Sequence, residues 1–350
     1  MVTAKARAVF SPEGAYTATT IERRDVGAKD VLIEIKYAGI CHSDIHTVRQ
    51  EWSDDVEYPI TPGHEIAGIV TEVGTEVSKY KVGDRVGVGC MVDSCGECEY
   101  CLKGEEQFCV EGNVGTYNDT QRFGDGTQTQ GGYSSHIVVK EGFVVSIPDG
   151  IELAEAAPLL CAGITTYSPL RHWNAGPGKK VAIVGVGGLG HLAVKIAHAM
   201  VAEVSVLSHS EKKREDSVRL GADHYFNTSE ESTFEDLENS FDLIINTVSS
   251  SEIDVSSYLR TLKVDGTMVN VGAPAEPVSV EVFALIMGRR SWAGSPIGGI
   301  KETQEMLNFC AEHGIGADIE IVSADEIDVA YDRVLSSDVR YRFVIDTATL

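Results

Sequence analysis

The sequence predicts an α/β chain in two parts, a bend-rich β portion followed by a doubly wound parallel sheet. Three observations carry this. Up to Pro148 the chain reads as short strands interrupted by glycine and proline; from Lys179 strands and helices alternate; the final stretch returns to one helix and one strand. With 350 residues, 43% of them apolar, there is chain enough for two cores and little resemblance to a disordered composition.

In chain order, residues 31–37 have strand character until Gly39 breaks the pattern before Cys41. Pro62 and Gly63 mark a turn, and 66–70 reads as a strand. The glycine-spaced run 81–89 suits a bending, barrel-like sheet. A cysteine-rich loop and a polar, glycine-rich segment over 112–132 follow, and strands over 134–140 and 143–147 close this portion. The alanine-rich run 153–160 reads as helix. Strands are then expected over 181–184, 203–207, 243–247 and 267–271, with helices over 189–200 and 211–220 between the earlier ones. Such alternation is the signature of a parallel, doubly wound sheet. A helix over 302–313 and a strand over 339–346 are expected to rejoin the first portion.

The net charge of −24 argues against nucleic acid or an anionic membrane as partner, since both would be repelled. It is also compatible with a saline source. The longest apolar run, 181–190, is glycine-rich and too short to span a bilayer, and MVTAKARAVF lacks the apolar core of a signal peptide. A cytoplasmic protein with reduced thiols is expected.

The strongest local signal is Cys95, Cys98, Cys101 and Cys109, spaced C-x2-C-x2-C-x7-C. Two close steps and a returning cysteine can wrap a tetrahedral four-sulfur site around zinc. Disulfides suit a short secreted chain better, whereas an iron–sulfur cluster stays open on spacing alone. Gly185-Val186-Gly187-Gly188-Leu189-Gly190 follows a strand and opens a helix. In that setting glycines admit a pyrophosphate to the backbone and the helix start offers free N–H groups. A dinucleotide site that prefers NAD places a carboxylate at the tip of the next strand. Here Leu207 is followed by Ser208, His209 and Ser210, then Glu211, Lys212, Lys213 and Arg214. Ser208 and Ser210 can donate to a 2′-phosphate, and Lys213 or Arg214 can pair with it, which points to NADP(H).

Gly39-Ile40-Cys41-His42-Ser43-Asp44, Gly63-His64-Glu65, the four-cysteine loop and Ala157-Pro158-Leu159-Leu160-Cys161 together resemble the zinc-dependent medium-chain alcohol dehydrogenases. Tyr117-Asn118-Asp119, Gln130-Gly131-Gly132-Tyr133 and the run 339–346 narrow the resemblance to the cinnamyl alcohol dehydrogenase-like branch, with its bacterial NADPH-dependent aldehyde reductases. The resemblance implies a GroES-like β-barrel catalytic domain over 1–157 with 298–350, carrying two zinc sites, and a Rossmann NADP-binding domain over 158–297. It favours zinc over iron–sulfur in the thiol loop. A catalytic zinc is implied at Cys41, His64 and Cys161, with Glu65 as a resting-state ligand and Asp44 orienting His64. Zinc would polarise an aldehyde oxygen while the nicotinamide, in the crevice between domains, delivers hydride. Ser43 would start a proton relay that ends at His46. The same carry-over lines the cofactor with Thr165, Thr247, Val248 and Ser295, and counts Gly272, Ile297 and Arg340 among its contacts.

Two positions depart from the plant cinnamyl enzymes. Gly115 stands where they have tryptophan, and Pro296 where they have phenylalanine. With Trp52, Cys90 and Ile297 nearby, a roomier pocket and broad use of small aldehydes and alcohols are expected. The rivals are a dedicated cinnamyl or mannitol dehydrogenase and, in another class, a non-catalytic zinc-stabilised NADPH-binding protein. The resemblance further implies a homodimer whose nucleotide-domain sheets join through 291–295.

Overall fold

The computed structural model describes residues 2–122, 126–230, 232–274 and 276–350; positions 123–125 of the polar 112–132 segment lie outside the described residues. The chain forms two compact units, Met1–Ile164 with Gly298–Leu350, and Thr165–Ile297. It leaves the first unit after Ile164 rather than after 157. The helical run before that point packs on the sheet of the first unit, against β-strands Asp30–Gly39 and Ile66–Val73.

The first unit contains β1 (Val2–Ala8), β2 (Thr17–Arg23), β3 (Asp30–Gly39), β4 (Ile66–Val73), β5 (Arg85–Val88), β6 (Met91–Asp93), β7 (Val114–Gly115), β8 (His136–Lys140) and β9 (Val145–Ser146). The second contributes β10 (Lys180–Val184), β11 (Glu203–Ser208), β12 (His224–Asn227), β13 (Phe241–Asn246), β14 (Leu262–Asn270) and β15 (Ser291–Gly294). The chain then returns with β16 (Ile319–Ser323) and β17 (Arg342–Asp346).

The main sheet of the first unit runs β16-β17-β3-β4-β5-β9, with β8 also on β3; only β16 and β17 are parallel. β3 is the hub because both its faces are covered, with Val31 and Ile33 buried on one face and Leu32 on the other. One core cluster joins Ile40, Ile45, Ile60 and Tyr133 to Ile327, Tyr331 and Phe343.

In the second unit every strand pair is parallel, in the order β12-β11-β10-β13-β14-β15. That is the dinucleotide-binding order, and it reverses between β10 and β13. β10 is central and hidden on both faces, which is why Val181, Ala182, Ile183 and Val184 form an unbroken apolar run.

Three expected elements differ. The strand over 143–147 shrinks to β9, because Glu141–Phe143 winds into a 3₁₀ turn that buries Phe143. The helix over 153–160 is α-helical only at Leu153–Ala156 and tightens to 3₁₀ at Ala157–Leu160, where Pro158 has no N–H to donate. The helix over 211–220 starts as 3₁₀ at Glu211–Lys213, is α-helical at Arg214–Leu220 and stops at Gly221, whose φ is +112°.

Candidate metal and cofactor sites

Cys41 caps the helix His42–Val48, and Asp44, three residues on, turns back to accept the Cys41 N–H at 3.0 Å. This capping geometry aims the other Asp44 oxygen at His64 Nδ1, 3.0 Å away. His64 and Glu65 lie just before β4, and Cys161 ends the 3₁₀ run Ala157–Leu160. One donor atom from each of Cys41, His64, Glu65 and Cys161 falls within 4.8 Å of all the others, and all four residues are buried. His64 Nε2 stands 3.2 Å from Cys161 Sγ.

The electrostatics follow from that crowding. Burial opposes a charged His64 imidazole, but the Asp44 carboxylate and the Cys90 sulfur outweigh it and raise its pKa well above the ordinary value. Hydrogen bonding with Cys161 holds the Cys41 thiol well below its usual range, while the same contact pushes Cys161 up. Burial pushes the Glu65 carboxyl up to about 8, against the pull of Arg342. Arg342 bonds one Glu65 oxygen and the Ile40 carbonyl, whereas Glu65 Oε2 is buried with no partner. Glu65 fits only because residue 39 is glycine: a Cβ there would lie 2.0 Å from Oε2. Two thiols, an imidazole nitrogen and a free carboxylate oxygen directed at one buried point form a donor set that fits zinc, with three strong ligands and an exchangeable fourth.

The second set is Cys95, Cys98, Cys101 and Cys109, whose sulfurs also lie within 4.8 Å of one another. Sulfur separations of 3.5 Å for Cys98–Cys101 and 3.8 Å for Cys95–Cys101 are far beyond a disulfide bond of about 2.05 Å. Backbone N–H groups support them: Cys98 donates to Cys95 Sγ at 3.3 Å and Cys95 to Cys109 Sγ at 3.4 Å. The N–H groups of Cys101 and Val110 bring the Cys98 thiol down to about 6, and burial pushes Cys101 up to about 12. Four thiolates this close carry their charge together only around a cation, so this set too fits zinc, in a closed four-sulfur site.

Beside the first set, Ser43 Oγ accepts from Cys41 Sγ at 3.6 Å. His46 Nδ1 is held by Glu51, and its ring stacks on half-exposed Trp52 with centroids 4.8 Å apart. Sequence reasoning missed Glu51; the signal available was an acid one helical turn and a bend after His46. Cys90 lies against the Leu160 carbonyl at 4.0 Å, and Gly115 N–H bonds Asp119 at 2.7 Å.

In the second unit, Gly185 takes φ +84° between β10 and the helix Gly190–Ala199, and a Cβ on Gly190 would lie 2.0 Å from the Gly185 carbonyl. Gly187, Gly188 and Leu189 lie between them on the turn. Thr247 bonds the carbonyls of Val184 and Gly185 at 2.9 and 3.2 Å, and Val248 N–H is held by buried Asn246 at 3.1 Å. Asn246 also bonds Asn270 at 3.1 Å, tying β13 to β14 at their carboxyl ends; it was not anticipated. Gly272 is forced by the Val248 carbonyl, 2.3 Å from where its Cβ would lie.

Ser208 ends β11, Ser210 follows two residues on, and the Ser210 carbonyl accepts the Tyr225 hydroxyl. Lys213 folds over the glycine turn to the Val186 carbonyl at 2.6 Å. Arg214 pairs with Glu211 and lies over the Tyr225 ring, 4.7 Å from its centroid. Thr165, Ser295, Pro296 and Ile297 belong to this unit, and Arg340, exposed and stacked on Tyr341, to the first.

Comparison with known proteins gives the family of the chain. Residues 27–149 match the family model described as alcohol dehydrogenase GroES-like domain, and residues 188–312 the one described as zinc-binding dehydrogenase. A probable formaldehyde dehydrogenase of Bacillus subtilis is 63% identical, covering 98% of this chain and 97% of its own. An NADP-dependent alcohol dehydrogenase C of Mycolicibacterium smegmatis is 62% identical over 100% and 99%. An aldehyde reductase of Escherichia coli is 55% identical over 99% of each chain. A cinnamyl alcohol dehydrogenase structure from Helicobacter pylori, complexed with NADP(H), superposes with a TM-score of 0.92 at 44% identity and 99% coverage of both chains.

Proposed function

This chain belongs to the zinc-binding alcohol dehydrogenase family, and from that premise we propose that it is an NADP(H)-linked alcohol dehydrogenase acting chiefly as an aldehyde reductase. The observation that carries the reading is the convergence of Cys41, His64, Glu65 and Cys161 in one unit of a chain whose other unit carries the Gly185–Gly190 turn.

Cys41, His64 and Cys161 would hold the catalytic zinc and the four-thiol loop the structural one. When bound, zinc supplies a Lewis acid for the carbonyl oxygen and NADPH supplies the hydride. The residues of the chain do the rest. Asp44 accepts the His64 Nδ1 proton, leaving Nε2 as the donor lone pair. Glu65, anchored by Arg342, keeps one oxygen free and would serve as a ligand that substrate could replace. Ser43 Oγ is the inner proton donor to the product oxygen. His46 is the outer one: Glu51 holds its Nδ1, so Nε2 takes and returns the proton. In the second unit Ser208, Ser210 and Lys213 would receive the 2′-phosphate, with no carboxylate at the end of β11 to repel it. Thr165, Thr247, Val248, Gly272, Ser295 and Ile297 complete the proposed cofactor contacts of this unit.

We read broad substrate use from Gly115 and Pro296, two positions at which the sequence lacks an aromatic ring. We place the protein in the cytoplasm; among the described residues no helix is long and apolar enough to cross a membrane. We also propose a homodimer. β15 is the edge of its sheet, and the neighbouring helix Val282–Ile286 exposes Val282, Phe283 and Ile286. A panel of aliphatic, aromatic and cinnamyl aldehydes, each assayed with NADPH and NADH, tests the function. NADPH should give the higher kcat/KM on several aldehyde classes; strong turnover of a single class, or a preference for NADH, would contradict it.

A further inference from the structure

We propose that Tyr133, backed by Tyr331 and Tyr16, is a positioning residue for the catalytic metal, acting through Asp44 on His64. This rests on the reading of Cys41, His64 and Cys161 as metal ligands.

Asp44 is fully buried. One of its oxygens faces His64 Nδ1; the other accepts from the Cys41 N–H at 3.0 Å and from the Tyr133 hydroxyl at 3.2 Å. The chain continues outward. Tyr133 and Tyr331 hydroxyls are 3.3 Å apart, and those of Tyr331 and Tyr16 are 2.6 Å apart. The rings pack as a cluster, with Tyr16 tilted against Tyr133 at 5.8 Å and edge-on to Tyr331 at 5.2 Å. Tyr16 precedes β2, Tyr133 precedes β8 and Tyr331 sits on the helix Ile327–Leu335, so three distant segments converge on one carboxylate.

Phenylalanine would fill this apolar cluster equally well, and a buried hydroxyl is costly unless bonded. Three phenols in series are explained if their order ends somewhere useful. An ionised carboxylate only accepts, so Tyr133 must donate to Asp44, and its oxygen is then free to accept from Tyr331. The carboxylate is thereby pinned on both oxygens. It cannot rotate away from His64 Nδ1, and the imidazole presents Nε2 to the metal in one tautomer and one ring orientation. Without the Tyr133 hydroxyl, one side of the buried carboxylate loses a donor and the aim of His64 loosens.

The test is Tyr133→Phe in the full-length, cobalt-loaded protein, with metal affinity measured by chelator competition and the d–d absorption bands recorded. We expect roughly tenfold weaker binding at the Cys41–His64–Cys161 site and shifted d–d bands, the low end of what outer partners of metal ligands contribute. The four-thiol site should not change. Tyr331→Phe should give a smaller loss in the same direction, and serves if Tyr133→Phe does not fold. In an Asp44→Asn background, Tyr133→Phe should add nothing. Unchanged affinity and bands with only a lower melting temperature would reduce the tyrosines to packing and overturn the proposal. If the unmodified chain binds metal at the four-thiol site alone, the ligand reading itself fails and the proposal falls with it.

Discussion

At the scale of single residues, cofactor choice turns on what stands at the end of β11. A carboxylate there would hold a ribose hydroxyl and repel a phosphate; Ser208 does neither, and Lys213 is already folded over the adjacent glycine turn. Ser208→Asp should therefore move the ratio of kcat/KM for NADPH over NADH toward NADH by at least about tenfold, the equivalent of 1.4 kcal/mol. An unchanged ratio would remove Ser208 from the phosphate site. This part was legible in the sequence because the glycine turn and the strand tip are short, contiguous signals. Glu51 and Arg342 were not. Each acts on a neighbour, His46 or Glu65, through a contact that no spacing rule encodes, and Arg342 reaches Glu65 across 277 positions. Cys41, His64 and Cys161 were assembled only through family resemblance, since the capping geometry that turns Asp44 toward His64 is a property of the folded helix start.

At the scale of elements, the four-thiol loop holds itself by backbone N–H to sulfur bonds and carries one five-residue helix, Glu99–Lys103, and a 3₁₀ turn, Glu106–Phe108, neither of which has a buried residue. With so little core of its own, its order depends on the bound ion. Cys98→Ser should lower the thermal midpoint measurably and release one zinc per chain while NADPH binding persists; an unaltered midpoint would show the loop to be incidental.

The tyrosine cluster gives an alkaline signature. Burial first, and the neighbouring phenol Tyr331 next, raise Tyr16 well above the ordinary value; burial likewise raises Tyr133 and Tyr331. Below pH ~10 these phenols are neutral in both folded and unfolded chains, so their contribution is intact. Above it the unfolded chain ionises and the folded one does not. Stability should thus fall by about 1.4 kcal/mol per pH unit for each tyrosine involved. Denaturant melts between pH 9 and 11 should show Tyr331→Phe with a shallower decline than the unmodified chain. The helix Ile327–Leu335, which carries Tyr331, was missed although Ile327, Ala330, Tyr331 and Val334 follow helical spacing. The preceding strand β16 has no fully buried position and no alternation, so sequence offered little there.

For the whole molecule, the division of labour is simple. One unit builds both thiol-bearing sites on a largely antiparallel sheet, and the other builds a dinucleotide turn on a parallel one. Each has its own buried core, and the broad pattern of both was readable because the period of the strands and the strand–helix alternation are global features of the sequence. The charge of −24 sits on a protein whose substrates are small and whose anionic cofactor would bind mostly through backbone and hydroxyl donors, so the charge need not oppose binding. The proposed reaction needs a working metal distinct from a structural one. Zinc per chain and steady-state aldehyde reduction, measured side by side for the unmodified protein and Cys41→Ala, test this directly. Two zincs should become one, NADPH should still bind, and reduction should fall by at least about a thousandfold, the equivalent of 4 kcal/mol of transition-state stabilisation. Retention of both zincs, or of normal turnover with one, would contradict it.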